Sequence, residues 1–268
     1  MRGRTGAVFV LGAAAAASAA AIVLAAAAVE ADPRHPAGVL PRDAHVVRTP
    51  MLMPSPFAPA PPAPETLVPA TAAGARVLGV LARVRQSMRA TRYQHDTRVR
   101  ERDGLYYWDC SAMAAWVLQR SAPRAMSAVA GTRPVARDFF HTIDRAPVRG
   151  GRRGWTKIPV LADARPGDVF AWLRPRDWPP RNTGHVGFVL APPRPVPGLD
   201  GAYTVRILDA TSVPHQDDTR VWDGGGGFGE GTIMFMTGPD GGGTHYGWHG
   251  TRANFTAETR IVIGRVLR

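Results

Sequence analysis

Near residue 75 the chain changes character, and that change limits where a folded core can form. Residues 33–64 carry ten prolines and few large apolar side chains, too little burial to offset the entropy lost on folding. Ahead of them, after Arg2 and Arg4, residues 5–29 hold no charge and are mostly alanine. A short basic start, an apolar run and small residues before an A-x-A-like cleavage point near 26–31 form the pattern of a secretory signal. A run of that length also suffices to remain as a membrane anchor. The expected organisation is a signal peptide or membrane anchor at 1–31, a Pro/Ala-rich disordered linker at 32–74 and one folded domain at 75–268. Such a chain is expected to be exported, to the periplasm, the cell envelope or the medium.

A single cysteine, Cys110, excludes an internal disulfide, so the folded domain must rest on its apolar core. Residues beyond 74 carry 28 basic and 17 acidic side chains, a net charge of +11, which favours polyanions such as teichoic acids, lipid headgroups, acidic peptides or nucleic acid. Lys157 is the sole lysine, an arginine bias that a GC-rich genome also produces. The arginines are not interleaved with aromatic residues in a run that reads bases, so no specific nucleic-acid partner is expected.

Apolar spacing marks the elements. Val77, Val80, Leu81, Val84 and Met88 share one face of a helix near 74–90, with arginines mostly off it. Asp109 is a good N-cap, and Met113, Trp116 and Val117 recur at helical spacing, so Cys110 falls on the first turn of a second helix. There, unpaired backbone N–H groups and the helix dipole favour a thiolate, the nucleophilic form of the side chain. Residues 135–143 read as a short helix carrying His141, taken as an ordinary polar residue. Strands are expected at 169–173, 184–190, 203–210, 232–236 and 259–267. The glycine runs at 224–227 and 241–243 read as loops without a phosphate-cradling pattern.

A cysteine at a helix start, a histidine at a strand start and an acid one strand later supply nucleophile, base and orienting group. If 185–190 and 203–210 pair with Leu190 opposite Thr204, His185 lies across from Asp209, with Cβ atoms about 4.5–5.5 Å apart. A slip of one residue would put Asp209 on the other face. The backbone N–H of Cys110 and a tyrosine from the preceding segment, Tyr107 or Tyr93, are candidate oxyanion donors. His245 and His249 lack a third ligand nearby in sequence, so no metal and no cofactor is expected.

These residues resemble the NlpC-type branch of the papain-like superfamily, exported bacterial cysteine peptidases and amidases acting on cell-wall peptides. The resemblance is carried by Asp109-Cys110-Ser111, Pro166-Gly167-Asp168-Val169, Gly184-His185-Val186-Gly187 and Ile207-Leu208-Asp209-Ala210-Thr211. It implies an α+β papain-like fold in which the cysteine helix packs on a small antiparallel sheet. It also implies that Cys110, His185 and Asp209 cleave an amide in a peptidoglycan peptide or other cell-wall component, with the N-terminus as a membrane tether if it is retained. Two other functions fit the same features: a non-catalytic wall- or polyanion-binding domain, and a thiol acyltransferase acting on lipids.

Overall fold

The computed structural model describes residues 68–179, 181–220 and 225–267. The segment expected to be a signal peptide or membrane anchor, and the expected linker up to residue 67, lie outside these residues. The first helix, α1 (Ala72–Ser87), starts where Thr71 caps it, its hydroxyl accepting from the Gly74 N–H at 2.9 Å. Val77, Val80, Leu81 and Val84 form its buried stripe. A small sheet follows: β1 (Ala90–Tyr93) runs parallel to β3 (Leu105–Trp108), and β2 (Arg98–Arg100) runs antiparallel to it. Next come α2 (Cys110–Ser121), the single turn α3 (Pro123–Met126) and α4 (Ala136–Asp144).

The remaining strands are β4 (Trp155–Ile158), β5 (Val169–Leu173), β6 (Gly184–Val189), β7 (Arg194–Pro195), β8 (Ala202–Thr211), β9 (Gly227–Thr237), β10 (Gly243–His249) and β11 (Asn254–Val266). All eight pair antiparallel in one sheet. Six of them, in the order β10-β9-β8-β6-β5-β11, close on themselves through pairing of β10 with β11.

This closed barrel corrects the papain-like expectation of a cysteine helix on a small antiparallel sheet. The physical reason lies in the last third of the chain. The stretch from Gly243 to His249, which reads as a glycine-rich loop around His245 and His249, is strand β10. The closing strand expected at 259–267 is thirteen residues long, and the short strand at 232–236 is eleven. Those lengths let β11 reach β4, β5 and β10 together, which removes the free edges that an open sheet would leave.

The alternation of side chains then separates two cores. Phe170, Trp172, Val189, Val205, Ile207, Ile233, Phe235, Tyr246 and Trp248 fill the barrel interior. Val169, Ala171, Val186, Phe188, Leu208 and Ala210 face outward beneath the helices, with Met113, Val117 and Leu118 of α2 above them. With both faces covered, β5 reads as the unbroken apolar run Val169-Phe170-Ala171-Trp172-Leu173. Trp172 stacks on Tyr246 at 4.5 Å and on Phe170 at 5.4 Å between ring centroids. Each such buried pair is worth about 0.5–1.5 kcal/mol beyond the burial itself.

Candidate active site at the barrel rim

Cys110 is the first residue of α2. The Asp109 carboxylate caps that helix, accepting from the Ala112 N–H and the Ser111 hydroxyl at 2.8 Å each. The Asp109 carbonyl takes the Met113 N–H at 3.0 Å, which leaves the N–H groups of Cys110 and Ser111 for another acceptor. Burial pushes the Asp109 carboxyl up, but His95, the Ala112 N–H and Ser111 together bring it below its ordinary value. The cap therefore stays ionised, and its charge favours the positive end of the helix.

His185 enters from the other layer. It is the second residue of β6, and its ring lies 5.0 Å from Trp172 and 5.6 Å from Trp248, so it faces the barrel interior. Asp209, near the end of β8, shares that face and is fully buried. Phe188 pairs with Leu208 and Val189 with Ile207. That register is two residues away from the one that sets His185 opposite Asp209. A shift of two keeps the face, so the two side chains meet diagonally, His185 Nε2 to Asp209 Oδ2 at 2.6 Å.

With Nε2 occupied by Asp209, Nδ1 is the ring nitrogen left to meet the Cys110 sulfur, which acts on the His185 charge. Cys110 is 5 % exposed and His185 8 %. Burial alone would favour a neutral imidazole. The Cys110 sulfur and the Asp209 carboxylate outweigh it and raise the His185 pKa to about 10. The three residues singled out in the sequence are thus brought together, His185 hydrogen-bonded to Asp209 inside the barrel and under the influence of Cys110 on the helix outside it.

Two further groups converge on Asp209, and the sequence reading missed both. His215 Nε2 donates to the same Oδ2 at 2.7 Å, and its ring stacks on Trp248 at 4.1 Å. Arg220 holds Oδ1. The same guanidinium donates to the carbonyls of Asp209 at 2.9 Å, Gly227 at 2.7 Å and Gly229 at 3.1 Å, and it pairs with Asp218. Burial pushes Asp209 up, but His215, Arg220 and His185 hold its carboxyl well below the usual range. Burial pushes His215 below the ordinary imidazole value against the pull of Asp209, so its ring is neutral at pH 7 with the proton on Nε2.

His215 and Arg220 belong to residues 212–220, which run beside the part of β9 that β10 does not reach. Thr232 N–H donates to Gln216 O at 2.7 Å, and Thr219 N–H to Glu230 O at 2.9 Å. The opposing β9 positions are glycines. A Cβ on Gly231 would come 2.4 Å from His215 Cβ, and one on Gly229 would come 2.5 Å from Arg220 Cγ. The signal was present in the sequence: glycines at 227, 229 and 231 leave one face of a strand bare, and a bare face in a buried strand means another segment lies on it.

Of the two tyrosine candidates, Tyr93 is the one whose hydroxyl feels the charge of Cys110. Burial, then the charges of Cys110, Asp109 and Asp209, push its hydroxyl well above the ordinary value, so it remains an O–H donor. Tyr107 lines a cavity of 890 Å³ together with Arg85, Arg89, Arg92 and Arg220. His141 lies on α4 near Arg145 and Arg152, away from these groups. His249 bonds Asn254 Oδ1 at 2.7 Å and His245 bonds Thr244. Among the described residues no group of three or more His, Cys, Asp or Glu could hold a metal ion, and no helix is long and apolar enough to cross a membrane. Comparison of the chain with protein-family models, with curated proteins and with solved structures gives no match in any of the three.

Proposed function

We propose that the protein is a cysteine hydrolase that cleaves an amide bond, with Cys110 as nucleophile, His185 as proton carrier and Asp209 as the group that orients His185. One observation carries the reading: the lone cysteine opens a helix and faces an imidazole whose far nitrogen is held by a buried carboxylate at 2.6 Å. The sulfur attacks the carbonyl carbon, and the oxyanion is received by the Cys110 N–H and the Tyr93 hydroxyl. The C–N bond then breaks as His185 Nδ1–H gives its proton to the departing amine, leaving a thioester. A water loses a proton to Nδ1 and attacks the thioester, the C–S bond breaks, and a carboxylic acid leaves.

The secretory pattern at the N-terminus and the NlpC-like motifs support a cell-wall peptide as the substrate class, on a barrel in place of papain-like layers. The test is incubation of the full chain with muropeptides and mass spectrometry of the products. New amine and acid termini are expected for the wild type and none for Cys110→Ala. Undiminished hydrolysis by Cys110→Ala rejects the assignment. A second reading, polyanion binding, is favoured by the Arg85, Arg89 and Arg92 wall of the 890 Å³ cavity. Salt-sensitive binding to teichoic acid by a protein whose Cys110 does not alkylate would select it.

A further inference from the structure

We infer that His215 is a positioning residue for the Cys110–His185 pair, holding the Asp209 carboxylate in the one rotation that engages His185 Nε2. The inference rests on the hydrolase reading and adds a fourth and a fifth group, His215 and Arg220, to its machinery. Three observations carry it. First, both imidazoles bond the same oxygen, Oδ2, at 2.6 Å and 2.7 Å, while Arg220 takes Oδ1. A carboxylate bonded to His185 alone could turn about its Cβ–Cγ bond; held by three donors on both oxygens, it cannot.

Second, His215 is kept there against its own solvation. It is 2 % exposed, and its Nδ1 has no hydrogen-bond partner among the described residues. An unsatisfied buried acceptor costs about 1–3 kcal/mol, and such an orphan in a native structure asks for a reason. An apolar ring stacked on Trp248 would fill the space without that cost, so packing does not explain a histidine. Third, β9 is bare where His215 and Arg220 lie over it, at Gly231 and Gly229. The charged and titratable groups that face His215 are Asp209 of β8, Asp218 and Arg220 of its own segment, and His185 of β6 through the shared oxygen.

The experiment uses the full chain and needs no substrate. The rate of Cys110 alkylation by iodoacetamide is followed from pH 5 to 10 in the wild type, His215→Phe and His215→Gln. Phe keeps the stacking and removes the donor; Gln restores an N–H. By analogy with the outer partners that orient metal-bound histidines, whose loss lowers activity 10–100-fold, His215→Phe is expected to alkylate about 10-fold more slowly at pH 7, with partial recovery in His215→Gln. An identical pH profile in folded His215→Phe overturns the inference and leaves the hydrolase reading standing, whereas an unreactive wild-type Cys110 sinks both. Should His215→Phe not fold, long-range 1H–15N spectra of the wild type decide. A neutral His215 with its proton on Nε2 supports the inference, and a proton on Nδ1 overturns it.

Discussion

Replacing Asp209 by Asn tests whether the buried network is wired as described. The carboxylate is fully buried and accepts from three side chains: His185, His215 and Arg220. An amide offers one oxygen. If its NH2 faces Oδ2's position, it meets two imidazole N–H groups; if it faces Oδ1's position, it meets the guanidinium. In either rotation a buried donor opposes a donor, and the Arg220 charge keeps Asp218 but loses one of its two buried carboxylate partners. Breaking one side of a buried ion pair costs about 3–5 kcal/mol. For a domain of this size each kcal/mol shifts Tm by about 2–4 °C, so the melting point should fall by roughly 6–20 °C. Differential scanning calorimetry of the full chain at pH 7 measures it, and Cys110 alkylation on the same sample reports the site. A fall of less than about 3 °C would refute the argument, because it would mean that Asp209 is not the anchor of three buried donors.

Three further outcomes follow from the geometry. Cys110→Ala is expected to abolish hydrolysis, as set out above, with the fold retained by circular dichroism. The His185 pKa in the fold, about 10, lies above the ordinary 6.5, so its contribution to stability is complete below pH 6.5 and is lost as the pH rises through about 10. The urea midpoint of the wild type should therefore fall between pH 6 and pH 9.5 by more than that of Cys110→Ala, and equal falls would contradict the sulfur's part in the shift. Tyr93→Phe should lower kcat on muropeptides by on the order of 10-fold or more while leaving the alkylation rate unchanged, since an oxyanion donor acts only once the substrate carbonyl is attacked; an unchanged kcat would remove Tyr93 from that role.

The part of the site closest to the chemistry was readable because it depends on local rules. Asp109 before an apolar 3.6-residue pattern fixes a helix start, and with it the place of Cys110. His185 and Asp209 fall on one face by parity alone, which a two-residue error in register does not disturb. Barrel closure was not readable, because it depends on β10, where Gly243 and Gly247 interrupt the apolar pattern of Tyr246 and Trp248. His215 and Arg220 were missed for a related reason. They lie in a segment with no periodicity, and only the alternate glycines of β9 betray what covers them.

The nucleophile and its base are supported by different bodies: Cys110 by a helix lying on the outside of the barrel, His185 and Asp209 by strands lining the inside. What keeps sulfur and imidazole in register is the apolar seam of Met113 and Val117 over Val186, Phe188 and Leu208, which contains no catalytic group. Core packing is dense and transmits displacement, so a methyl lost or gained along that seam slides one half of the chemistry past the other. The reactivity of this cysteine is in that sense set by the joinery beneath it as much as by the groups it touches.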